Sequence, residues 1–154
     1  MTTIATDTEP AMGIESDIHN LIGRYCDAVL RVDVLLFADT WAEDARWLIP
    51  GDGVIEGRRA ITETFERIRP SYLQCVQEIL NGTIAHADGE TAQARWQIRE
   101  LQWRDDGSIT QLIGVYHDAM ERGDEGVLRF TQRDFELIYS GPIDGTGRLR
   151  SPRP

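Results

Sequence analysis

The chain contains no lysine, and each of its 16 basic residues is an arginine. That absence excludes Schiff-base chemistry through a lysine amine. Cysteine is nearly absent too: Cys26 and Cys75 stand far apart, outside any CxxC arrangement, and read as reduced, buried thiols. No Gly-rich phosphate loop, GxSxG elbow or dinucleotide fingerprint occurs. The three histidines, His19, His86 and His117, lack the spacing of metal ligands, so no metal is expected. No apolar run approaches membrane-spanning length, and Met1 to Gly13 has neither a basic start nor an apolar core. A cytoplasmic protein is the resulting expectation.

Positive charge is also in deficit. A net charge of −10 makes nucleic acid and anionic membrane surfaces poor partners, because both are held largely by clustered cations. What remains is ordinary for a globular chain: 154 residues, 41% hydrophobic and 27% charged, enough for one domain.

The chain changes period midway. Residues 1–13 read as a disordered lead-in, and 141–154, rich in Gly, Pro and Arg, as a flexible tail. Between them, Ile14, Ile18, Leu21, Ile22, Tyr25, Val29 and Val32 make one face of a helix, with Ser16 as its expected N-cap. Asp33 reads as the cap of a second helix, Val34 to Trp41. A short hairpin is expected over Ala45 to Ile55, around Pro50-Gly51-Asp52-Gly53, and a third helix over Gly57 to Arg69. Four long strands then follow near 73–87, 91–103, 108–121 and 127–140, separated by Asp- and Gly-rich turns. Three helices followed by a curled, mainly antiparallel sheet give an α+β cone with a pocket for an apolar small molecule between the two layers.

The residues Ile18-x-x-Leu21-x-x-x-Tyr25, Phe37 to Trp47, Gly57 to Ile61, Asp88 to Ala92 with Arg95-Trp96, and Gly114 to Asp118 with Arg129-Phe130 and Arg133 follow in a characteristic order. Over residues 14–140 the chain resembles the SnoaL-like branch of the nuclear-transport-factor-2-like superfamily. The resemblance extends to scytalone dehydratase, bile-acid 7α-dehydratase and γ-hexachlorocyclohexane dehydrochlorinase. It implies a cofactor-free lyase or isomerase, of dehydratase or retro-aldol type. Those enzymes use an Asp on the first helix to orient a His on the first long strand. In this chain the two positions fall on Leu30 and Gln77, so the dyad is missing.

The resemblance also points to Tyr25, Glu100 and Arg133 as replacements: a phenol donor, a carboxylate base or acid, and a cation for a developing anion. Each has a structural alternative. Tyr25 reads equally as core, and Glu100 and Arg133 as a mutual ion pair. Alternation puts Trp96, Ile98, Glu100 and Gln102 on one strand face, taken as concave. Tyr116 and Asp118 share a face and join Leu30, Trp47 (at the mouth), Gln77, Trp96 and Ile98 as candidate substrate-binding residues. His117 turns away from them. The opposite face, with Arg95, Arg99, Leu101, Trp103, Val115 and His117, has the composition of an interface, so a homodimer is expected there. A non-catalytic binding or accessory protein, or a protein-interaction module, are the alternatives to an enzyme.

Overall fold

The computed structural model describes residues 13–153, so residues 1–12 of the expected lead-in lie outside the described residues. Helix α1 (Ile14–Arg31) buries Ile18, Leu21, Ile22, Tyr25, Ala28 and Val29. Each such side chain contributes about 1.5–3 kcal/mol, less for the alanine. Gly13, not Ser16, is the N-cap, and it offers no side-chain oxygen to the first turn. The helix ends with Val32 in the left-handed region at φ 57°, where the Val32 and Asp33 amides both return to the Ala28 carbonyl. Asp33 then caps α2 (Val34–Asp39), its carboxylate accepting from the Leu36 N–H at 2.9 Å.

The second helix stops two residues short of the expected Trp41. Thr40 turns the chain: its hydroxyl donates to the Phe37 carbonyl at 2.6 Å, and its own carbonyl accepts from the Phe130 N–H at 2.9 Å. Trp41 therefore opens a strand, β1 (Trp41–Ile49), which pairs antiparallel with β2 (Gly53–Glu56). Helix α3 (Arg58–Ile68) and one 3-10 turn (Arg69–Ser71) follow. The long strands are β3 (Gln74–Ala87), β4 (Thr91–Trp103), β5 (Ile109–Arg122) and β6 (Leu128–Pro142). Strand order is β2-β1-β6-β5-β4-β3, with a two-residue β7 (Arg148–Leu149) also on β6.

The hairpin is thus no separate cover, as a four-stranded meander would leave it. Strand β1 joins the open, curved sheet by pairing parallel with β6, and Trp47 lies opposite Arg133. That one parallel pairing draws Trp41 and Trp47 into a buried aromatic cluster with Tyr25, Phe37 and Phe130, while Phe65 stacks on Phe37 at 4.0 Å. The tail turns back: Leu149 pairs with Tyr139, and Arg153 meets Glu136 on the convex side. Arg69 locks the layers together, donating to the Val29 carbonyl at 2.8 Å and to the Tyr72 carbonyl at 3.1 Å. It thereby satisfies a carbonyl left open at the end of α1.

Candidate active site

Between α1 and the concave face of the sheet lies a cavity of about 360 Å³, within the range of small-molecule sites. Helix α1 contributes Tyr25 and Val29, one turn apart. Strand β1 contributes Trp47 and Ile49, α3 Phe65 and Ile68, and β6 Phe135 and Leu137. Cys75 and Gln77 come from β3, Glu100 and Gln102 from β4, and Leu112 and Tyr116 from β5. Much of the wall is apolar, and Gln77 on β3 with Glu100 and Gln102 on β4 form one polar group on it.

Glu100 is the centre of that polar group. Gln77 lies directly opposite it in the ladder, and its Nε2 donates to Glu100 Oε2 at 2.7 Å. Gln102, two residues on along the same face, donates to Glu100 Oε1 at 2.5 Å. Gln77 Oε1 is left buried without a hydrogen-bond partner among the described residues, as is the indole Nε1 of Trp47. The Cys75 thiol is pushed well above its usual range by burial and then by the nearby Glu100 charge. It is a lining group, not a nucleophile.

Arg133 lies behind the pocket, fully buried. Its guanidinium stacks over the rings of Tyr116, Tyr25 and Phe130 at 3.8, 4.2 and 4.3 Å. Its Nε is 3.1 Å from Asp118 Oδ1, in a pair poorly aligned for a hydrogen bond. Burial pushes the Asp118 carboxyl up to about 7, outweighing the pull of Arg133. Burial works against the Arg133 charge as well, but Asp118 and the two phenols more than offset it. Of the two, Asp118 is the member that titrates. The Tyr25 phenol is raised by burial, with Arg133 offsetting part of the rise, so it is a hydrogen-bond donor at neutral pH.

The candidates from the sequence therefore divide. Tyr25, Gln77, Glu100, Tyr116 and Trp47 converge on the cavity, although Trp47 is buried in the wall and does not form the mouth. Arg133 pairs with Asp118, not Glu100, and the pair reaches the pocket only through the two tyrosines. Trp96 and Ile98 share the inward face but pack in the core, Trp96 edge-on to His19 at 5.3 Å. Leu30 is a correction: it is 38% exposed, on the outside of α1. One helical residue is a turn of about 100°, and the inward position is its neighbour Val29.

The pocket also uses Tyr72, Arg104 and Leu112, which the sequence reading left out. Period two from Glu100 and Tyr116 marks Arg104 and Leu112. Nothing local marks Tyr72, which follows the 3-10 turn.

The missing dyad is now a matter of geometry. The pocket-facing residues of α1 are Tyr25 and Val29, neither of them acidic, and among the described residues no histidine lines the cavity. His117 sits on the convex side with its Nε2 2.7 Å from Glu136 Oε2. Among the described residues the carboxylates at the cavity are Glu100 and Asp52, and Asp52 is ion-paired with Arg67.

A helix layer on a curved sheet around one cavity is the architecture of the nuclear-transport-factor-2-like superfamily. Residues 12–134 match the SnoaL-like domain model, and the chain belongs to that family. LinA shares the fold with a TM-score of 0.77 at 22% identity, over 91% of this chain and 95% of its own. The hexachlorocyclohexane dehydrochlorinase LinA-type3 of Novosphingobium barchaimii LL02 is 18% identical with a TM-score of 0.75, over 90% and 95%. A candidate scytalone dehydratase of Novosphingobium aromaticivorans is also 18% identical, with a TM-score of 0.79 over 90% and 92%. No curated protein sequence matches the chain significantly.

Proposed function

We propose that the protein is a cofactor-independent lyase or isomerase acting on a hydrophobic cyclic or aromatic small molecule. The supporting observation is Glu100, a carboxylate fixed at both oxygens by Gln77 and Gln102, facing the same cavity as the Tyr25 phenol. A positioned carboxylate and a positioned donor form a base and oxyanion-stabilising pair. In a dehydration, Glu100 takes a C–H proton next to a substrate carbonyl whose oxygen Tyr25 holds. The released electron pair forms the C=C bond, the adjacent C–O bond breaks, and the leaving oxygen takes the proton from the Glu100 carboxyl and departs as water, which restores the carboxylate. Arg133 acts through the tyrosines, its charge making both phenols stronger donors. The dehydratase and dehydrochlorinase names among the similar structures favour elimination chemistry.

The test is a panel of cyclic and aromatic β-hydroxy ketones and halogenated cyclohexanes, followed by mass spectrometry for loss of water or hydrogen halide. Elimination that disappears in Glu100→Gln and weakens in Tyr25→Phe is the expected result. Activity surviving both substitutions refutes the roles assigned.

One observation favours a non-catalytic binder: the cavity holds no imidazole, and both Glu100 oxygens are already hydrogen-bonded. Native mass spectrometry that recovers an unreacted ligand from the purified protein, with no turnover across the panel, selects that reading.

We also propose a homodimer through the convex sheet face. His117 is engaged by Glu136, and Val115 is buried within the monomer, so the free part of that face centres on Arg95, Leu101 and Trp103. A monomer in sedimentation at micromolar concentration refutes it.

A further inference from the structure

Arginine is plentiful in this chain, and acidic partners are more plentiful still. Two arginines line the cavity, Arg69 and Arg104. Arg69 is spent on structure, with donors to the Val29 and Tyr72 carbonyls and, at 2.7 Å, to Gln74 Oε1. Arg104 is not. Its Nε reaches Thr110 Oγ1 at 3.3 Å and its Nη2 reaches Gln102 Oε1 at 3.4 Å, both long for such bonds. Its guanidinium lies 5.0 Å over the Tyr72 ring. No Asp or Glu oxygen comes within ion-pair distance of it among the described residues. Asp105 and Asp106 follow it in the chain, and the Asp106 carboxylate feels its charge but makes no ion pair with it; inside the cavity, Glu100 is separated from it by the Gln102 amide, which bonds to both. Asp52 also lines the cavity, but Arg67 matches its charge.

A half-buried cation lining a pocket in a protein of net charge −10, with no carboxylate within ion-pair distance among the described residues, fits an anionic group on the ligand. We infer that the ligand of this cavity is a cyclic or aromatic carboxylic acid, its carboxylate seated on Arg104 and its ring system on the apolar wall of Phe65, Leu112, Phe135 and Leu137. A single guanidinium with Asp52 nearby suits a monoanion better than a phosphate dianion. Seating the acid at Arg104 orients the ring within the cavity that Glu100 and Tyr25 also line. This inference rests on the pocket being a small-molecule site, as proposed above.

Benzoate, 2-naphthoate and cyclohexanecarboxylate, each with its methyl ester and carboxamide, test it by isothermal titration calorimetry. In the wild type, at least one acid binds about tenfold or more tighter than its neutral counterparts, with an affinity that falls as salt is added. Arg104→Met removes the preference while thermal unfolding stays close to that of the wild type, and Arg104→Lys retains part of it. Esters and carboxamides that bind as tightly as the acids overturn the anion inference and leave the pocket reading standing. An acid preference that persists in Arg104→Met overturns it as well. If no member of the three sets binds, the small-molecule reading of the pocket fails, and this inference with it.

Discussion

Gln77 and Glu100 face each other across the β3–β4 ladder, joined by a 2.7 Å bond from the amide Nε2 to the carboxylate Oε2. An imidazole at Gln77 would compete with this carboxylate for the work of base. An amide can only orient it, so under the proposed function the proton chemistry of the pocket falls to Glu100 on β4. Gln77→Leu removes one of the two donors holding Glu100 and frees the carboxylate to rotate. Hydrogen bonds to charged groups contribute about 1.5–3 kcal/mol, so kcat on a substrate from the elimination panel falls about tenfold or more. The melting temperature changes by a few degrees at most. Steady-state kinetics beside a thermal melt check this; an unchanged kcat removes Gln77 from the site.

Most of this arrangement was legible in the sequence, because alternation is dependable where strands are regular. Period two put Glu100 and Gln102 on one face of β4, which the family resemblance marked as the inner one, and the ladder there runs without a break from Thr91 to Trp103. It fails at bulges. Phe130 and Arg133 both point inward although they stand three positions apart, because the β5–β6 register shifts between Ala119 and Met120 and leaves Thr131 unpaired. Alternation from Phe130 turns Arg133 outward; only the family resemblance placed it near the site. The partner of Arg133 was misread for a related reason. Asp118 lies directly opposite it in the β5–β6 ladder, a pairing between strands that no local pattern announces. Leu30 failed on a helix, where an error of one residue exchanges the core for solvent.

Arg133 and Asp118 test the cost of burying charge. Removing one partner strands the other in a site with no water-facing escape, which typically costs about 3–5 kcal/mol. Arg133→Met is therefore strongly destabilising at pH 8, where Asp118 is ionised. Arg133→Met combined with Asp118→Leu replaces the pair with apolar side chains and recovers most of the loss. Urea unfolding of the wild type, both single variants and the double variant gives the coupling. Simple additivity of the two single losses contradicts the pairing.

Gly82 lies opposite Trp96 in the β3–β4 ladder, and the indole lies flat across it. A Cβ built there would stand 2.0 Å from the Trp96 ring, against the six-membered part of a fully packed side chain. Gly82→Ala forces the ring off its seat beside His19, at a cost of about 1–3 kcal/mol from overpacking. A lowered urea midpoint with a shift in tryptophan emission is expected. A variant as stable as the wild type shows that Trp96 has room to move.

The buried carboxyl of Asp118 gives stability an unusual dependence on pH. Its folded pKa, raised to about 7 from an ordinary 3.8, means that the native state holds this proton between those values while the unfolded chain has released it. Wherever the native state binds more protons, stability falls as pH rises. The Asp118 contribution is thus fully present below about pH 4 and is lost as pH climbs through 7. Burial is the cause, and Arg133 limits the size of the effect without reversing it. The span is on the order of 4 kcal/mol at most, at 1.36 kcal/mol per unit. Other carboxylates work in the opposite direction. Asp39 and Glu136 are held below their usual range by arginine or histidine partners, and their contribution is lost toward acid. The comparison must therefore be with Asp118→Asn, in which those terms cancel. Between pH 4 and pH 8 the stability of the wild type should fall relative to Asp118→Asn by a few kcal/mol, and the difference should level off above pH 8. Urea denaturation of both proteins at matched ionic strength measures it. A difference that is flat across this range, or that grows in favour of the wild type, shows that Arg133 holds Asp118 ionised throughout.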